Sequence, residues 1–141
     1  MAQQYSSIII TKLAKQYWRT IAWFIIILFL STIQVSKLPH TPLFKIPHFD
    51  KIIHFILYFI LTSLWLLDDY KTRLRFNNSV LFSIVLSSIT YGIIMEIVQK
   101  VIVQHRDGDF YDALANTAGI ILAFLLFRFY GLYRNILTTI L

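Results

Sequence analysis

Four stretches of nearly unbroken apolar positions, about Trp18–Val35, Ile52–Leu67, Val80–Val103 and Ala113–Leu132, alternate with short polar segments. A helix needs roughly 20 apolar residues to cross the hydrocarbon core, with about 17–25 tolerated. Three of the stretches meet that length, and the second does so if its helix begins at Phe49 or Asp50. That extension carries Asp50, Lys51 and His54 onto a helix end. A barrel strand would alternate apolar and polar residues over about ten positions, whereas Trp23–Leu30 does not alternate. The pattern predicts an all-α, polytopic membrane protein: one four-transmembrane-helix bundle spanning 1–141, with helices at about 18–35, 50–67, 80–103 and 110–132.

Ahead of the first span, Ile9, Leu13 and Tyr17 recur at i, i+4 and i+8 while Lys12 and Lys15 point elsewhere. This fits either a helix lying in the membrane interface or an early start of the first span. Lys12, Lys15 and Arg19 before an apolar run also imitate a secretion signal, but Ser31-Thr32-Ile33-Gln34-Val35 is a poor cleavage site. The first helix therefore reads as uncleaved. Composition agrees with the class: 57% hydrophobic and 14% charged residues with a mean hydropathy of +0.67 exceed what a soluble domain of this size buries. The absence of cysteine removes disulfides and thiolate chemistry.

Basic residues suggest an orientation. With a cytoplasmic N-terminus, the inner side receives Lys12, Lys15, Arg19, Lys71, Arg73, Arg75, Arg128 and Arg134, and the outer side Lys37, Lys45, Lys51, Lys100 and Arg106. The bias favours both termini inside. Inner basic residues facing anionic lipid account for the net charge of +6 without nucleic acid. On this topology Asp68 and Asp69 fall in the inner loop, while Asp50, Glu96, Asp107, Asp109, Asp112 and all four histidines lie toward the outer face.

Glu96 is the only glutamate and sits inside the third apolar run. A charged side chain at membrane depth costs roughly 2.5–3.5 kcal/mol on insertion scales, so its retention points to a use or a partner. A buried ion pair with Arg106 or Lys100 is the structural alternative. Helical spacing gathers other polar groups near the same surface: Asp50, His54 and Tyr58 share one face of the second helix, Glu96 and Gln99 one face of the third, and Asp109, Asp112 and Asn116 one face of the fourth, with Arg106 just before it. One shared pocket follows. Asp109 also reads as a helix N-cap and Asp112 as a carboxylate favourably placed against the helix dipole. Asp50, one turn before His54, is a candidate to orient its imidazole.

Asp50-Lys51-Ile52-Ile53-His54-Phe55, then Glu96-Ile97-Val98-Gln99, then Arg106 through Gly119 with Asp109, Asp112 and Asn116 in register, together resemble the VanZ-like family of small bacterial membrane proteins over about residues 20 to 130. The resemblance implies a bacterial cytoplasmic-membrane protein. The family's founding member accompanies glycopeptide-resistance genes and confers teicoplanin resistance, with no settled biochemical activity to carry over.

Two uses of the pocket stand side by side. In the first, an enzyme acts on a lipid-linked or cell-wall substrate: Asp50 orients His54 as general base, Glu96 or Asp112 supplies a proton, and Lys51 and Arg106 hold an anionic group, with Gln99, Asp109 and Asn116 completing the contacts. In the second, the same residues bind a headgroup, wall precursor or glycopeptide without catalysis. No cofactor is expected. A divalent metal on Asp50, His54, Glu96 and Asp112 is a variant without a tight ligand motif. A transporter ranks third, because the inner half of each helix reads as apolar and no inverted repeat is evident. Small residues, Ala115, Gly119 and Ala123 on the fourth helix and Ser88 and Gly92 on the third, suggest close approach of those two helices. The loop Lys37–Phe49, with Pro39, Pro42 and Pro47, either roofs the pocket or merely connects helices.

Overall fold

The computed structural model describes the backbone of residues 2–32, 48–73, 77–102 and 109–140, with side chains at 11–32, 48–71, 77–102 and 109–130. These residues form α1 (Ala2–Thr32), α2 (Phe49–Arg73), α3 (Asn78–Ile102) and α4 (Phe110–Ile140). Each contains a segment long and apolar enough to cross a membrane: Thr11–Thr32, Phe49–Lys71, Asn78–Ile102 and Phe110–Tyr130. The all-helical, four-span architecture is as expected. The second helix does start early enough to carry Asp50, Lys51 and His54.

Local chemistry sets the boundaries. His48 takes a positive φ of 62°, and its carbonyl accepts the Lys51 and Ile52 amides at 3.1 and 3.4 Å, closing the first turn of α2. Asn77 Oδ1 accepts the Ser79 amide at 3.0 Å at the start of α3. Asp109 Oδ1 accepts the Tyr111 amide at 2.9 Å at the start of α4, the N-cap expected of it. α1 kinks at Tyr17, whose φ of −104° and ψ of 16° leave the helical region. The kink falls within the Thr11–Thr32 segment, at the last residue of the Ile9, Leu13, Tyr17 repeat.

α2 is the hub: it packs against all three other helices, most extensively against α4, while α1 meets α2 and α3. Gly119 explains the α2–α4 pairing, since a Cβ there would fall 2.3 Å from the Phe55 carbonyl oxygen and 3.0 Å from the Phe59 nitrogen. Gly119 of the small-residue stripe therefore seats α4 on the backbone of α2, and α4 also packs against α3. Gly92 of α3 faces the Tyr58 ring and Asn116. Ile27, Tyr58, Leu61, Met95 and Ile120 form the main core, and Leu66, Leu81 and Ile84 a second cluster. Phe82, Leu86 and Phe129 are exposed on the outside of the bundle, where lipid chains would lie. α1 is tied on by polar bonds from aromatic side chains: Trp23 Nε1 donates to the Leu57 carbonyl at 2.9 Å and Tyr91 Oη to the Phe24 carbonyl at 2.8 Å.

Asp68 and Asp69 correct the sequence reading. They are not loop residues, because α2 continues to Arg73 and its last turns lie against α1. Both are buried. Asp68 accepts hydrogen bonds from Arg19 through Nη2 and, at 3.0 Å, through Nε, and from Thr20 Oγ1 at 2.8 Å. Asp69 accepts one from Tyr17 Oη at 3.2 Å. With Thr62 and Ser88 also fully buried, the half of the bundle away from His54 is not uniformly apolar.

Candidate functional site

Near the N-termini of α2 and α4 and the C-terminal part of α3, the predicted residues come together. Lys51 and His54 come from α2, Glu96 from α3, and Asp112 and Asn116 from α4; the Gly119 contact one turn further along α4 holds these two helices close enough for their side chains to meet. Asn116 is at the centre. Its Nδ2 donates to Glu96 Oε1 at 3.1 Å, and its Oδ1 lies 3.1 Å from His54 Nδ1. His54 Nδ1 is also 3.5 Å from Glu96 Oε1, and its Nε2 is 3.8 Å from Asp112 Oδ2. His54, Asp112, Asn116 and Gln99 are all buried.

With its amide nitrogen on Glu96, Asn116 turns its oxygen toward His54 Nδ1, while Nε2 faces Asp112. Asn116, expected only as a binding contact, thus touches both His54 and Glu96. Asp50 was the expected orienting carboxylate; His54 meets Asn116, Glu96 and Asp112, and Asp50 accepts from Lys51 at 3.0 Å.

Lys51 makes the second half of the site. Its ammonium donates to Asp109 Oδ2 at 2.7 Å and Asp112 Oδ1 at 3.1 Å, as well as to Asp50. A continuous polar run therefore leads from Asp50 and Asp109 through Lys51 and Asp112 to His54, Asn116 and Glu96. The oxygens of Asp50, Asp109 and Asp112 lie within 4.8 Å of one another, a spacing a cation can use, and the lysine ammonium lies among them. A metal bound to these carboxylates would have to displace it. Taken with Glu96, four carboxylates face one ammonium and one imidazole, so this end of the described site is acidic.

Lys51, followed by the Tyr111 amide, holds the Asp109 carboxyl below its ordinary value. A lowered folded-state value means that the contribution to stability is present above the unfolded carboxylate range, about 3.9, and disappears as pH falls through the folded value. Asp109→Asn keeps a capping side chain and removes the charge. The difference in melting temperature between wild type and this variant is expected to close on acidification from about pH 5 toward pH 3; a gap independent of pH would show that the charge does not matter.

Arg106, the loop with Pro39, Pro42 and Pro47, and His40 and His105 lie outside the described residues. Lys100, one proposed partner of Glu96, is exposed. Sequence reasoning missed the polar groups behind the site. Thr62 repeats the His54–Tyr58 spacing once more along α2, and Ser88 lies eight residues before Glu96 on the same face of α3, a periodicity that extends both stripes inward.

No curated protein and no solved structure matches the chain. A family model described as VanZ/LLP1 matches residues 3–132, nearly the whole sequence. A multi-pass membrane chain carrying this set of polar residues across three of its helices thus belongs to the VanZ/LLP1 family.

Proposed function

We propose that the His54–Asn116–Glu96–Asp112 cluster is an acid–base site at the extracytoplasmic face of a bacterial cytoplasmic membrane, acting on a lipid-linked or cell-wall component. The observation that supports this most is the oriented, nearly buried imidazole: His54 is held through Nδ1 by Asn116 at 3.1 Å and turns Nε2 toward a carboxylate. A base needs a defined tautomer and a nearby proton carrier, and Asp112 and Glu96 flank the ring on its two nitrogens. The same cluster could bind without catalysis, and the variants below separate the two.

The charge balance favours a particular kind of ligand. Lys51 already meets three carboxylates, so a bare phosphate gains little from it. A group rich in hydroxyl or amine donors, such as the sugar and peptide head of a lipid-linked wall precursor, fits an acidic, acceptor-rich surface better. The family's link to teicoplanin resistance suggests a practical phenotype, glycopeptide susceptibility of cells with and without the protein.

Glu96→Gln keeps shape and hydrogen bonding while removing acidity. For an enzyme, turnover of the wall precursor is expected to fall by roughly 10²–10⁴-fold, the usual contribution of a positioned acid or base, with binding retained. Unchanged turnover together with unchanged binding would remove Glu96 from the chemistry. Native mass spectrometry of the purified protein is expected to reveal the co-purifying headgroup.

The facing of the site is separately testable, because the chain has no cysteine. A single thiol introduced at Phe110, which is well exposed at the start of α4, is expected to react with a membrane-impermeant maleimide in intact cells, and one at Lys71 is not. The reverse labelling would place the site on the cytoplasmic side.

A further inference from the structure

Behind the acid–base cluster, α2 and α3 run antiparallel in matching steps. His54 meets Glu96; one turn inward, Tyr58 lies over Gly92, where an added Cβ would sit 3.3 Å from its ring; one turn further, the register brings Thr62 level with Ser88. Beyond them Leu66 and Ile84 close the interface with Leu81. Tyr58 is 1% exposed, and Thr62 and Ser88 are 0% exposed.

The hydroxyls of Tyr58, Thr62 and Ser88 are buried and have no hydrogen-bond partner among the described residues. For serine and threonine in a helix the carbonyl one turn back is within reach in a suitable rotamer, and the bond to it is a common choice. Ser83, Thr90 and Thr117 each use it, at 2.9, 2.9 and 2.8 Å. Thr62 and Ser88, deeper than any of these, do not. A buried hydroxyl left unbonded is destabilising, and the expense grows where no bulk water reaches. Three such groups at adjacent levels of one interface call for a shared partner that both donates and accepts.

We propose that Tyr58, Thr62 and Ser88 enclose an internal water site, bounded on one side by the floor of the acid–base cluster and on the other by Leu66, Leu81 and Ile84. Water is the ligand class that fits: it satisfies hydroxyls as donor or acceptor, and internal waters typically make about three hydrogen bonds to groups the protein leaves unmatched. The site lies within two helical turns of His54 and Glu96, which gives that pair a proton-exchanging neighbour shielded from the membrane surface. It depends only on the buried hydroxyls and stands whether or not the cluster is catalytic.

The sign of a stability change decides the matter. If the hydroxyls are dry, Thr62→Val and Ser88→Ala remove an unmatched polar group and raise the melting temperature. If they share water, each substitution lowers it by roughly 3 °C for a chain of this size, and the double variant loses less than the sum because both changes release the same water. A rise in either variant overturns the proposal. Synchrotron hydroxyl-radical labelling of the unaltered protein is the second measurement and requires no variant to fold. Radicals generated from an adjacent bound water are expected to modify Tyr58 despite its burial, and absence of label on Tyr58 while exposed Tyr130 is modified would equally overturn it.

Discussion

Gly119→Ala is expected to destabilise the bundle strongly, and far more than Gly92→Ala. The added carbon would lie 2.3 Å from the Phe55 carbonyl oxygen and 3.0 Å from the Phe59 nitrogen, and these are backbone atoms of a helix, which cannot rotate aside as a side chain can. Overpacking a core usually costs about 1–3 kcal/mol. Here relief requires α4 to move bodily away from α2, so a loss at or above the upper end of that range, roughly 3 kcal/mol, is expected. The displacement also reaches the site. Asn116 lies one turn before Gly119 on α4, and His54 immediately precedes Phe55 on α2, so their 3.1 Å contact opens as the helices part. Thermal unfolding of the detergent-solubilised variant measures the stability loss, and loss of function in parallel with it would connect the packing to the cluster. A variant melting with the wild type would show that the two helices do not depend on this approach. Gly92→Ala gives the comparison: its nearest neighbour is the Tyr58 ring edge at 3.3 Å, a side-chain atom that needs to shift by only a few tenths of an ångström, and its effect should be smaller.

The second large effect is expected at the opposite end of the bundle. Arg19→Ala strips Asp68 of the Arg19 guanidinium and leaves a carboxylate of 1% side-chain exposure that keeps Thr20 among its partners. Removing one member of a buried ion pair costs about 3–5 kcal/mol, mostly because the other charge stays buried without compensation. Arg19 itself is 29% exposed, so solvent or headgroups screen the pair in part, and the lower end, about 3 kcal/mol, is the expectation. The reverse change is predicted to be milder. Asp68→Asn keeps an acceptor for Thr20 and leaves an arginine that can extend toward lipid phosphates. Replacing both partners with apolar residues, Arg19→Met with Asp68→Leu, should recover most of the loss. Melting curves of the three variants test the ordering, and an Arg19→Ala variant as stable as wild type would mean that the pair contributes nothing measurable.

The fold was legible because membrane insertion imposes a length, and the four apolar runs display it directly. Helix starts were legible as well: Asp109 announced itself as an N-cap, and the deficit of the second run pointed back to Phe49. Side-chain periodicity also put His54, Glu96, Asp112 and Asn116 on faces that meet in one cluster, since residues one turn apart share a face whatever the helix packs against. Pairing within the cluster was not legible. Whether Asp50 or Asn116 orients His54 depends on how α4 rotates over α2, and that rotation follows from a glycine meeting a backbone carbonyl, a contact between residues 64 positions apart that no local pattern encodes. Asp68 and Asp69 were misplaced for a related reason. Two adjacent aspartates before Lys71 look like the start of a loop, and Arg19, Thr20 and Tyr17 on a neighbouring helix help make their burial tolerable.

The Arg19–Asp68 pairing bears on how the chain is made. Arg19 leaves the ribosome 49 residues before its carboxylate partner, which at ordinary synthesis rates is roughly 2–10 s. During that interval the guanidinium has no Asp68 to pair with, and headgroup phosphate is the anion that a long arginine side chain near a helix end can reach. Only once the second span has been made can the Arg19–Asp68 contact of the folded bundle form.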